Sequence, residues 1–221
     1  MFEWLTQNKD LVTSFASIIT ALGVVFVALQ ARIAANQAKI AAEQLKSDHE
    51  RSRRETAINV IKDWNASLDM ITPSARKFVQ ELTSDECKKL VKLESIKVDK
   101  KHHNLLTYAL SSMPNEMGKL VITNDEITLD KRQISYLLNL LISHLNDLEV
   151  ALLTWMNGIA DKDIIEHQFK YLVCFNEGTY ILEKLREAMA GKATYPAIDS
   201  FVEHLKERNK QGQLKSKGNI A

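Results

Sequence analysis

Proline and glycine are scarce in this chain, 3 and 7 among 221 residues. So few breakers exclude a loop-rich β architecture and point to long helices. Cysteine occurs twice, as Cys87 and Cys174. That excludes a disulfide framework and any paired-cysteine zinc spacing, so both read as buried thiols in a reducing compartment. Twenty-nine Lys and Arg nearly cancel 28 Asp and Glu, leaving a net charge of +1. No charge excess draws the chain to nucleic acid, and no direct nucleic-acid binding is expected.

Catalytic motifs are missing as well. There is no glycine-rich phosphate loop, no His-Glu-x-x-His and no nucleophile elbow. His102 and His103 are adjacent, so on a helix they point apart, and no further ligand is spaced to help them bind a metal. His167 and Cys174 fall two turns apart on one expected helix, too far to form a pair, and Cys174 sits within apolar "YLVCF". The sequence therefore assigns no catalytic residue, no cofactor and no metal, and it reads as a non-enzyme.

What the chain does have is "LVTSFASIITALGVVFVAL", Leu11 to Leu29, without a single charge. As a helix it reaches about 28 Å, close to the hydrocarbon thickness of a bilayer. Glu3, Lys9 and Asp10 before it, and the lack of a clean small-x-small site after it, argue against a cleaved signal peptide. The run reads as a retained transmembrane helix. Lys9 alone precedes it, whereas Arg32, Lys39, Lys46, Arg51, Arg53 and Arg54 follow. The flanking charge thus places the N-terminus outside and the bulk of the chain in the cytoplasm, in a bacterium at the inner membrane. Phe2 and Trp4 would sit at the outer interface.

Directly after the span the chain repeats itself every seven residues, "ARIAANQ" and then "AKIAAEQ". Its small positions continue back into the apolar run. Ser14, Ser17, Ala21, Val24, Ala28, Ala31, Ala35, Ala38, Ala42 and Leu45 form one stripe at 3-4 spacing. Small side chains let helices approach closely in lipid, and a 3.5-residue repeat winds a coiled coil in water. The stripe reads as the seam of a homo-oligomer. Beside it Arg32, Lys39 and Lys46 make a basic column suited to lipid head groups. Ile33 and Ile40 lie roughly opposite the seam. "SDHERSRRE", residues 47–55, alternates acid and base and reads as a solvated helix face.

The expected organisation is a short external tail (1–10), a transmembrane helix (11–29), a helical stalk (30–56), a cytoplasmic helical bundle (57–209) and a flexible basic tail (210–221). The fold class is all-α, with the bundle antiparallel. Thr72 is the expected N-cap of a helix with Pro73 at its first position, and Thr83 with Glu86 forms a capping box. "ESIKVDKK" and "KLVITNDEITLD" are the stretches with room for short extended segments, though no sheet is required. The strongest helix carries Ile134, Leu137, Leu138, Leu141, Leu145, Leu148, Leu152 and Trp155 at core spacing and stops at Gly158. Hydropathy alone would make Tyr136 to Met156 a second span; His144, Asn146, Asp147 and Glu149 argue against it. A further long helix is expected from Asp161 or Asp163 to Gly191, and a last one from Pro196.

One polar constellation stands out. Asn146 and Glu149 share a face of the most apolar helix, and Asn176 and Glu177 are placed to face them from the next. They form either a hydrogen-bond network that fixes helix register or a small polar pocket for a ligand or partner.

"DHERSRRE" after an Ala/Gln-rich stalk, with "TPSARKFV", "TSDEC", "LNDLEVA" and "DIIEHQF", resembles a group of uncharacterised bacterial membrane-anchored helical proteins. The overall plan is similar to the transmembrane effectors of retron anti-phage systems. That resemblance implies a membrane-perturbing toxin held by a regulatory protein or ribonucleoprotein partner. The type has two membrane helices where this chain shows one clear span. The alternative is a membrane-tethered adaptor or sensor whose bundle binds a protein or small ligand.

Overall fold

The computed structural model describes residues 9–114, 117–174, 179–190 and 194–218. The chain is mostly helical with two small sheets, and it divides into two compact units, Met1–Arg51 and Ser52–Ala221.

Helix α1 (Lys9–Ser67) supplies the first unit as far as Arg51. No proline interrupts it, and Gly23 is its single glycine. From Thr13 to Arg51 every side chain is exposed, and Phe15 and Leu22 are 63% and 65% open. An apolar helix of this length with nothing packed on it is long and apolar enough to cross a membrane. Ser17 and Thr20 donate their hydroxyls back to the carbonyls of Thr13 and Ala16, at 2.9 and 2.8 Å. The run therefore meets the hydrogen-bond demand of these two polar side chains internally.

In the second unit α5 (Lys131–Met156) is the central element. Asp130 starts it by accepting from the amides of Arg132 and Gln133, while the Gln133 side chain returns to the Asp130 amide in a capping box. It ends before Gly158, whose φ of +66° suits glycine. Ile134, Leu137, Leu141, Leu145, Leu148, Leu152 and Trp155 are buried as their spacing requires, and Leu138 is half-buried. By length and composition this helix too could span a membrane. Its apolar face instead belongs to the core of the folded unit.

Helices α2 (Thr72–Glu81), α3 (Ser84–Val91), α6 (Lys162–Phe169) and α8 (Pro196–Gly218) pack on α5, beside Trp64 of α1. The Thr83–Glu86 capping box forms at α3 as expected. The expected Thr72 cap does not form. Thr72 is already helical and buried, and Asp69 caps the turn by accepting from the amides of Ile71 and Thr72 at 3.0 and 2.6 Å. Burial alone would raise the Asp69 carboxyl, but these hydrogen bonds outweigh it and hold it below its usual range. At the C-terminus α8 stays helical to Gly218, so the backbone expected to loosen after Lys210 remains regular.

The fold is mostly helical, and the two stretches with room for extended segments do pair as strands. "SIKVD" and "VITNDEITL" form β1 (Ile96–Asp99), β2 (Val121–Thr123) and β3 (Glu126–Leu129), an antiparallel sheet of order β1-β3-β2. Their β-branched residues suit strands. Asn124 and Asp125 both take positive φ, 51° and 62°, in the two-residue turn between β2 and β3, as that hairpin's twist demands. Ile96, Val98, Ile127 and Leu129 face the core. Helix α4 (His103–Ala109) follows β1 through a 3₁₀ turn and packs on α2.

The long helix expected from Asp161 to Gly191 is broken. Asp161 does cap α6, accepting from the amides of Asp163 and Ile164. After Phe169 come a 3₁₀ turn, the short strands β4 (Val173–Cys174) and β5 (Thr179–Tyr180), and then α7 (Glu183–Ala190). His167 and Cys174 consequently lie on different elements. Ile181 and Leu182 both adopt left-handed φ, 50° and 56°, which stops a helix and is costly for a β-branched residue. Buried Arg186 holds this turn by donating to the carbonyls of Ile181 and Tyr180, at 2.9 and 3.2 Å, and it also pairs with Asp199 of α8.

The charge run 47–55 does more than face solvent. Within the folded unit the Arg53 carbonyl accepts from the Asp161 amide at 3.0 Å, and Arg54 lies 3.8 Å from the Asp161 carboxylate.

Candidate functional site

The polar pair Asn146 and Glu149 occupies one face of α5, as its spacing requires. Both carboxylate oxygens of Glu149 are used by α8: they accept from the amides of Ala197 and Ile198 at 2.8 and 3.0 Å. Pro196 has no N–H to offer, so the two amides are the natural donors of that first turn. A carboxylate there also meets the positive end of the helix dipole. The Tyr195 hydroxyl donates to Asn146 Oδ1 at 3.3 Å. Burial first, and Glu149 second, push the Tyr195 phenol above its ordinary value, with Arg186 opposing. These contacts make the pair a joint between α5 and α8. Asn176 and Glu177, expected opposite, lie outside the described residues.

A second joint was not foreseen. Glu166 of α6 is 7% exposed and receives the Trp155 indole N–H at 3.2 Å. His204 Nε2 lies 2.9 Å from the same oxygen, and Arg208 pairs with the other. His204 and Arg208 stand one turn apart on α8, a spacing visible in the sequence but unreadable without knowing which helix they face.

Trp64 of α1 packs tilted against His144 and edge-on to Phe169, with ring centroids 4.9 and 5.4 Å away. His144 is 6% exposed. Burial, reinforced by nearby Arg76 and partly opposed by Asp69, pulls its imidazole down to about 4, so it is neutral at pH 7. Cys87 is fully buried, and that burial pushes its thiol up to about 11. His102 is a buried packing residue, edge-on to Phe78 and 3.5 Å from Glu81. Burial lowers its pKa, with Glu81 opposing. Among the described residues no group of three or more His, Cys, Asp or Glu is placed to hold a metal ion.

Clefts open to solvent remain on the folded unit, among them one of about 460 Å³ lined by His103, Thr107, Met113 and Lys119. A cleft of about 170 Å³ lies between α1 and α5, with Val60, Trp64, Val150 and Ala151 as its apolar lining and Asp63 and Asp147 beside them. Val150 is 65% exposed. The sequence signal for it was Val60 and Trp64, one turn apart.

In the first unit the seam residues Ser14, Ser17, Ala21, Val24, Ala28, Ala31, Ala35, Ala38, Ala42 and Leu45 are all exposed, as are Arg32, Lys39 and Lys46. No family model, curated protein or solved structure matches this chain.

Proposed function

We propose that this protein is a non-enzymatic inner-membrane effector. In this reading α1 crosses the bilayer once through Leu11–Leu29 with its N-terminus outside, and the folded unit lies in the cytoplasm. Copies associate through the small-residue seam, and a regulatory protein or ribonucleoprotein holds the assembly inactive until release perturbs the membrane. The role is that of a toxin in an anti-phage system, as the resemblance of plan to retron effectors implies. The observation that carries the reading is the uncharged apolar run, exposed from Thr13 to Leu29, whose Ser17 and Thr20 hydroxyls are satisfied within the helix. The internal use of Asn146, Glu149 and Glu166 also supports it, since the most conspicuous polar groups of the folded unit serve its own joints.

Overproduction of the full chain, compared with residues 57–221 alone, tests the proposal. A membrane-potential dye should report depolarisation with the full chain and none with the fragment. Toxicity from the fragment would defeat it.

A second reading, a membrane-tethered adaptor, is favoured by the open cleft between α1 and α5. In that case the helix only anchors, and the full chain leaves the potential unchanged.

A further inference from the structure

We infer that the cleft between α1 and α5 receives a basic side chain, arginine or lysine, presented by a partner protein. Its floor is apolar: Val60 and Trp64 from one helix, Val150 and Ala151 from the other. Asp63 and Asp147 bring one carboxylate from each helix to the same opening. Both are exposed, and neither has a hydrogen-bond or ion-pair partner among the described residues. Elsewhere in the folded unit carboxylates near a helix contact are engaged, as Glu149, Glu166 and Asp199 are. At about 170 Å³ the cleft is smaller than the usual pocket of a drug-sized ligand.

An arginine or lysine matches both halves of this surface. Its methylene stem covers apolar groups while its charged head stays at the opening. Two carboxylates on facing helices can take the two edges of a guanidinium, and arginine is common at the centre of interfaces. The same two charges repel phosphate, so neither an anionic lipid surface nor a nucleic-acid backbone fits here. A ribonucleoprotein partner would have to reach this cleft through its protein. Trp64 is packed by His144 and Phe169 beneath, so the floor is rigid before anything binds.

The inference rests on the folded unit having a protein partner. It does not rest on membrane perturbation, so the dye experiment can fail while this binding persists. The test uses the full chain in phosphatidylcholine nanodiscs. The probe is a fluorescent helical peptide with leucines on one face and arginines beside them, followed by fluorescence anisotropy. Binding is expected, weakened at high salt, and absent for the same peptide with glutamate in place of arginine. The double variant Asp63→Asn, Asp147→Asn should weaken binding at least tenfold. Val150→Arg, at an exposed position that folding tolerates, should do the same by filling the cleft with a cation. Asp85→Asn with Glu94→Gln removes the same charge elsewhere on the unit and should leave binding unchanged, with thermal melts confirming that all variants fold. No binding of the arginine peptide, equal affinity for the native chain and the cleft variants, or equal loss in the control would overturn the assignment.

Discussion

Glu149, on the third turn from the end of α5, holds the start of α8: its two oxygens accept from Ala197 and Ile198 at 2.8 and 3.0 Å. A single side chain thus satisfies two end-of-helix amides and neutralises the dipole of a helix whose Phe201 and Val202 enter the core. Glu149→Gln keeps one acceptor oxygen and loses the charge, and should cost about 1–2 kcal/mol; Glu149→Ala should cost about 2–3 kcal/mol. Urea unfolding of the two variants gives the order. If Glu149→Gln were as damaging as Glu149→Ala, charge rather than hydrogen bonding would dominate.

His144 makes stability depend on pH. Its folded pKa is depressed to about 4 from 6.5, so between those values the unfolded chain binds a proton that the native chain does not. This contribution is complete above pH 6.5 and is lost as pH falls toward 4. It amounts to roughly 3 kcal/mol at about 1.4 kcal/mol per unit. His102 and Asp69 act in the same direction. Urea midpoints at pH 7 and pH 4.5 should lie closer together in His144→Phe than in the native chain, and an identical drop in both would refute the assignment.

Arg186 is 4% exposed and bridges the left-handed turn at Ile181 and Leu182 to Asp199. Arg186→Ala strands the Asp199 carboxylate and releases the turn carbonyls together, for a loss of about 3–5 kcal/mol. Arg186→Lys keeps the charge but not the fork, and should recover only part of that loss in a thermal melt.

Much of the fold was legible because it rests on local rules. The buried apolar positions from Ile134 to Trp155 follow helical spacing. Thr83 with Glu86, Asp161, Gly158 and Pro196 mark helix ends by their own chemistry. The segments that misled are those where tertiary contacts decide. "IKVD" pairs with "EITL" across a separation that no single window joins, while Asn124 and Asp125 close only the local hairpin from "VIT" to "EITL". "YLVCF" reads as buried helix or buried strand alike, since a short apolar run has no period of its own. The Asn146–Glu149 face was visible, but its occupant, the first turn of α8, was not. The Glu166 joint and the cleft at Trp64 depend on three-dimensional neighbours from separate helices.

The seam makes a positional prediction. In a chain with Cys87→Ser and Cys174→Ser, Ala38→Cys should crosslink between copies in membranes, and Gln37→Cys should not. Adding Glu at Ala35 and Ala42 should abolish the signal, because like charges would meet where alanine leaves no room. Losing about 1.4 kcal/mol per contact already weakens association tenfold. The same Glu pair placed at Asn36 and Gln37 is the control, and Glu is a good helix former at either set. Equal crosslinking at 37 and 38 would mean that α1 is a lone rod.

The account stands on Leu11–Leu29 crossing the membrane, and thiol accessibility on the two sides tests that most directly. In the same cysteine-free chain, Asn8→Cys and Ser47→Cys are treated in intact cells with a maleimide that cannot cross the inner membrane. Permeabilised cells give the total. The account predicts that Asn8→Cys is labelled in intact cells and Ser47→Cys only after permeabilisation, with both chains remaining in the membrane pellet at alkaline pH. Labelling of both positions only after permeabilisation, with release of the chain by alkaline carbonate, would contradict it.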